Sequence, residues 1–325
     1  MNTRSIGAVC LLVMLAWVGS GCVESQDGSS STDIAERTVR AALQQPEVTT
    51  PPEELQPTTV TESSFRYGSA VSFDGTTLVV GAEGKSTGLD ARAGHVFVWE
   101  KATGGNWQVV ERSPAAIDQQ DLFGSAVAVD GDIVVVGAHA EETAATDAGR
   151  VYVYRKGLTT PGVWSLETDF APASLGGNDE FGRSLALDGD TLAVGAPAHS
   201  GGGAVWIYDR NVGGSNNWGQ VDKIRATNTV SGDKFGSAVD LDGDRLVVGA
   251  QAKGTFPAPG SAYVFERNQG GTDNWGEVTE LSQTCSSGCQ MGSGAAVSGD
   301  VVAVGAHNAS TPNNSGPDGA VYIYE

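Results

Sequence analysis

From residue 65 onward the apolar positions fall into short runs, and none of them follows helical spacing. One stretch shows the pattern best. Ser125 to Val129 alternates small or polar residues with valine, as a half-buried strand does. Ile133 to Val136 is continuously apolar, as expected of a strand covered on both faces. Val151-Tyr152-Val153-Tyr154 is β-branched and aromatic, and a more polar run begins at Trp164. Asp130-Gly131 between the first two runs is a tight hairpin dipeptide. The pattern predicts four antiparallel strands in sequence, joined by turns and one longer polar loop, His139 to Gly149.

This unit recurs five times. Gly68, Gly124, Gly182, Gly236 and Gly292 follow one another at steps of 56, 58, 54 and 56 residues, each after an aromatic residue or Met291. A second register repeats the same steps: Gly81, Gly137, Gly195, Gly249 and Gly305, each inside Val-Gly-Ala. Four strands per repeat predict the blades of an all-β propeller with five blades. The glycines are expected where neighbouring backbones crowd together near the axis. The fifth repeat stops at Val321-Tyr322-Ile323-Tyr324, its third strand. The stretch from about Glu53 to Ser64 is expected to supply the fourth, closing the ring with an N-terminal strand and leaving no bare sheet edge, the alternative being an open or dimer-closed array.

The first 64 residues read differently. Arg4 precedes an apolar run from Ile6 to Val18, too short for an ordinary membrane span, which ends in Gly19-Ser20-Gly21-Cys22. Small residues before a cysteine resemble a bacterial lipobox, although Gly19 stands where an aliphatic residue is usual. Residues 1–22 are therefore expected to be a lipoprotein-type signal peptide with Cys22 lipidated, the alternative being an ordinary secretory signal. Either exports the chain, and only a lipid would hold it at a membrane. Residues 23–52 form a flexible spacer with one short helical pattern after Asp33. The propeller then spans 53–325.

Composition narrows the function. With 19 Lys and Arg against 39 Asp and Glu, the formal net charge is −20, and no basic stripe exists to neutralise phosphates. Nucleic acid is excluded as a partner on this ground. Cys285 and Cys289 form the one cysteine pair outside the leader, and an oxidising compartment favours a disulfide between them.

Phe181-Gly182 followed by Val194-Gly195-Ala196-Pro197 resembles the FG-GAP repeat, which builds the propeller of integrin α-subunits and of many bacterial surface proteins. The resemblance covers residues 65–325. It implies a β-propeller and, more loosely, a surface binding role. Integrin-type repeats often insert a calcium loop between the first two strands. Here that place holds bare Asp-Gly turns, such as Asp130-Gly131-Asp132 and Asp188-Gly189-Asp190. Calcium needs six to eight oxygens, which such turns do not supply. The nearest approach to a ligand set is Asp240, Asp242 and Asp244, without a distal acidic ligand. No cofactor and no metal are expected.

The resemblance places the ligand face at the loops after Val-Gly-Ala and before Phe-Gly. Candidate contact residues in these loops are Asp90, Arg92, His139, Glu141, Glu142, Asp147, His199, Lys253, Phe256, His307 and Asp318. His139 and His307 share one repeat position and His199 lies two residues further along its loop, so a shared mouth is one arrangement open to them. No nucleophile elbow, metalloprotease motif or phosphate loop occurs. The expected function is a monomeric, exported, non-enzymatic adhesion module of the bacterial cell envelope, binding a protein or glycan. Two alternatives stand: a polysaccharide hydrolase or lyase using rim carboxylates, and a structural envelope protein.

Overall fold

The computed structural model describes residues 54–56, 66–86, 92–102, 106–112, 120–143, 145–160, 162–254, 258–283, 288–309 and 318–325. The leader, the spacer, Cys22, Asp90, Phe256 and Cys285 lie outside these residues. No helix forms among the described residues.

Five antiparallel sheets follow one another along the chain. Blade one holds β1 (Tyr67–Phe73), β2 (Thr77–Ala82), β3 (His95–Lys101) and β4 (Trp107–Arg112). Blade two holds β5 (Phe123–Asp130), β6 (Ile133–Ala138), β7 (Arg150–Lys156) and β8 (Trp164–Phe170). Blade three holds β9 (Ser184–Asp188), β10 (Thr191–Ala196), β11 (Ala204–Asp209) and β12 (Gly219–Ile224). Blade four holds β13 (Phe235–Asp242), β14 (Arg245–Ala250), β15 (Ser261–Arg267) and β16 (Trp275–Leu281). Blade five has three strands, β17 (Met291–Ser298), β18 (Val301–Ala306) and β19 (Ala320–Tyr324). Each sheet is a meander in chain order.

The two glycine registers meet across the blade junctions. A Cβ on Gly137 of blade two would lie 2.1 Å from the carbonyl oxygen of Gly182 in blade three. The same collision would arise at Gly81 against Gly124, Gly195 against Gly236 and Gly249 against Gly292. The thirteen-residue spacing between the registers thus lets one blade's backbone rest on the next. Gly182 itself sits at φ 88°, a conformation glycine adopts without steric cost.

Apolar side chains fill each junction. Val79, Val96 and Val98 of blade one meet Phe123 and Val127 of blade two. Val151 and Val153 meet Phe181 and Leu192, and Val205 and Ile207 meet Phe235 and Leu246. Val247, Ala262 and Val264 meet Met291 and Val304 in the last junction. The first strands β1, β5, β9, β13 and β17 pack side by side in that order, and no comparable packing joins β17 or β18 to β1.

Of the segment expected to supply the closing strand, residues 53 and 57–64 lie outside the described residues. Glu54, Leu55 and Gln56 form no strand, and Leu55 packs instead on the free face of blade one, against the cluster of Phe97, Trp99 and Tyr67. Among the described residues no strand covers the outer face of blade five. Val321 and Ile323 are 46% and 45% exposed, whereas Val151 and Val153 at the same repeat positions are fully buried under the next blade.

Candidate functional site

The blade meander places all loops between second and third strands, and all linkers before Phe-Gly, at one end of the strands. The Asp-Gly turns and the Asn-rich turns lie at the other. At the first end a depression of 390 Å³ crosses four blades. It is lined by His139 of blade two, Glu180, Arg183 and Pro197 of blade three, Lys234, Ser237 and Gln251 of blade four, and Ser293 of blade five.

Local backbone geometry presents these side chains. The residue before each Phe-Gly adopts a left-handed conformation, with φ 59° at both Glu180 and Lys234. A tight turn follows, closed by hydrogen bonds from Arg183 N to Glu180 O and from Ser237 N to Lys234 O, each 3.1 Å. The turn brings Glu180 beside Arg183 and Lys234 beside Ser237 on the lip of the depression. His139, directly after Gly137-Ala138, is half-buried, and its Nδ1 lies 2.8 Å from Ser125 Oγ. Burial first, and the Arg183 charge second, lower its pKa to about 4, so the ring is neutral at physiological pH.

Three of the loop candidates turn inward instead. Glu141, His199 and Lys253 all stand three residues after the alanine of Val-Gly-Ala. Their N–H groups reach back to that alanine's carbonyl at 3.2, 3.1 and 3.0 Å. Their own carbonyls accept from Gly149, Gly203 and Gly260, which open the third strands. This closed loop base directs each side chain toward the third strand. Glu141 accepts from Tyr152 Oη at 2.6 Å and from Arg150 Nε at 2.7 Å, while burial raises its carboxyl pKa. His199 donates from Nδ1 to Asp179 Oδ2 at 2.6 Å and accepts at Nε2 from Lys223 Nζ at 2.9 Å. Lys223 also lies over the Trp206 ring, 4.4 Å from its centroid, and burial lowers its pKa. Lys253 reaches Asp233 at 3.4 Å and the carbonyl of Asn228. These groups build the loop bases.

Of the remaining candidates, Arg92, Glu142, His307 and Asp318 are exposed, and Asp147 is half-buried. The three histidines enter different surroundings: His139 bonds Ser125, His199 is enclosed by Asp179 and Lys223, and His307 is exposed.

The sequence pattern did not single out Asp179, Arg183, Lys223, Lys234 or Gln251. A signal existed for the first. Asp121, Asp179 and Asp233 stand two residues before Phe123, Phe181 and Phe235, and all three are buried.

At the opposite end the Asp-Gly turns link blades. Asp130 Oδ2 accepts from Gly189 N at 2.7 Å, Asp188 Oδ2 from Gly243 N at 2.6 Å and Asp242 Oδ2 from Gly299 N at 2.6 Å. Asp240 accepts from Val297 N at 2.7 Å, and burial raises its pKa to about 6. Asp244 pairs with Arg267 at 3.1 Å. Asp240, Asp242 and Asp244 thus point to three separate partners. No group of three metal-ligating side chains gathers among the described residues.

Comparison with known proteins adds the family. A model of the FG-GAP repeat matches residues 116–154, 164–208 and 218–265, the centre of the blade array. No curated protein matches the chain. Among solved structures, a crystal structure from Bacteroides fragilis named as a 6-phosphogluconolactonase aligns with a TM-score of 0.45 and 13% identity. The alignment covers 72% of this chain and 61% of that one.

Proposed function

On the premise that this chain is an FG-GAP repeat β-propeller, we propose that it is a non-enzymatic, exported binding module of the cell envelope. It presents the loop end of the propeller to a protein or glycan. The lipidated Cys22 and the spacer 23–52 hold it clear of the membrane, and a Cys285–Cys289 disulfide staples the loop before blade five. The module acts as a monomer and needs no cofactor and no calcium.

The depression that crosses blades two to five carries this proposal. Small-ligand sites are concave and hold a few convergent polar groups on a rigid scaffold. Here the scaffold is four stacked sheets, and the polar groups come from equivalent positions in successive repeats. Of the described residues lining the depression, Glu180 is the one carboxylate. Hydrolysis by a carboxylate pair would need a second one across the bound sugar.

A blocking substitution tests the proposal. Gln251→Trp places a bulky ring at the lip, where Gln251 is half-buried. The parent chain is expected to bind a subset of an envelope-glycan and matrix-protein array, and the variant to lose that binding while keeping its melting temperature. Absence of any binding by the parent, or equal binding by the variant, contradicts the proposal.

A further inference from the structure

The lip of the depression is cationic on a strongly acidic chain. Among the described lining residues Arg183 and Lys234 stand against one carboxylate, Glu180, while the chain as a whole carries −20. The two cations also keep donors unused. Arg183 is half exposed, and its closest carboxylate contact is Glu180, 3.9 Å away, beyond hydrogen-bond reach. Other arginines are engaged: Arg150, Arg225, Arg245 and Arg267 each have a partner at 3.0 Å or less. Lys234 is exposed.

The fold does not require a guanidinium at this place. Two residues after the aromatic residue or Met291 that opens each repeat, the other four blades carry Ser69, Ser125, Ser237 and Ser293. Those hydroxyls serve the scaffold. Ser237 Oγ donates to Gly292 O and Ser293 Oγ to Gly305 O. In blade three the neighbouring Ser184 makes the equivalent bond, to Gly236 O at 2.8 Å. Arg183 is therefore released from structural duty and extends over the depression. Next to it the walls offer the Gln251 amide and the neutral His139 ring, both suited to sugar hydroxyls. Among the described lining residues there is no Phe, Tyr, Trp, Leu or Ile to anchor a protein partner.

We propose that the depression binds an acidic saccharide, with Arg183 and Lys234 clasping its carboxylate and Gln251 and His139 contacting its hydroxyls. The inference rests on the binding-module function above and names its ligand class. Arginine and lysine to carboxylate are charge-assisted contacts, about twice as strong as neutral ones. Glu180 yields readily, because exposed ion pairs are weak.

The test is titration calorimetry of the full chain with tetragalacturonate, neutral maltotetraose and tetraglutamate. Arg183→Ser supplies the residue that the other blades carry, so folding is preserved, and Lys234→Gln removes the second charge. Tetragalacturonate is expected to bind saturably and at least about tenfold more tightly than the other two probes. Each variant should weaken it by about tenfold, and raising salt from 50 to 500 mM should weaken the parent further. No binding of tetragalacturonate, equal binding of maltotetraose, tighter binding of tetraglutamate, or variants that bind like the parent would each overturn the inference. If maltotetraose binds and Gln251→Trp blocks it, the binding module stands and only the acidic ligand is lost.

Discussion

The Asp188 carboxylate of blade three accepts a hydrogen bond from the Gly243 backbone N–H of blade four at 2.6 Å. Asp130 and Asp242 make the same bond one blade earlier and one blade later. The aspartate that opens the Asp-Gly turn of blades two, three and four is thus a rung between blades, and its carboxylate is committed to a peptide N–H. Replacing Asp188 by Ala should lower unfolding free energy by about 1 kcal/mol, the net size of a typical intramolecular hydrogen bond, and Asn should restore part of it. Urea unfolding of the three proteins checks this.

The glycine registers make a sharper prediction. At Gly137 an added methyl would meet the Gly182 carbonyl at 2.1 Å, in backbone that has no room to move. Gly131 lies in a hairpin turn with open space around it and φ 57°. Gly131→Ala should cost about 1 kcal/mol, the ordinary cost of left-handed backbone. Gly137→Ala should destabilise by several times that amount or abolish folding, as seen in thermal melts and soluble yield.

The repeat pattern announced these glycines because they answer to backbone geometry, which recurs in every blade. The inward turn of Glu141, His199 and Lys253 was not legible. Polar residues in a variable loop look solvent-facing, and only the hydrogen-bonded loop base shows that the third residue after Gly-Ala points at the strand. Arg183 and Lys234 escaped notice for the opposite reason. They stand inside the repeated Phe-Gly turn, where residues read as scaffold, and only the folded lip shows their side chains free. The position of Leu55 was equally hidden, since its packing on Phe97 and Trp99 depends on a face of blade one that no described strand of another repeat covers.

Histidines at neighbouring loop positions should behave differently. Asp179 and His199 are buried together, with Lys223 as the third member. Asp179→Ala removes the acceptor of His199 and of Gly176 N and leaves both donors unsatisfied, which should cost about 3 kcal/mol. His307→Ala, at an exposed site, should stay within about 0.5 kcal/mol of the parent. Chemical unfolding midpoints distinguish the two.

Asp240 gives the chain a pH signature. Its pKa is raised from 3.8 to about 6, mainly by burial, so folding favours the protonated form. Its contribution is complete below about pH 3.8 and is lost as pH rises through about 6. Asp240→Asn keeps an oxygen for Val297 N without the charge. The variant should therefore gain melting temperature over the parent at pH 7.5, and the gain should shrink toward zero at pH 4.

The central claim is that the loop-end depression across blades two to five is where this propeller binds. Hydrogen exchange of the full chain, with and without the saccharide that binds it most tightly, tests this directly. Protection should concentrate in the segments around His139, Arg183, Lys234 and Gln251. Protection falling instead on the turns at Asp130, Asp188 and Asp242, at the other end of the strands, would contradict it.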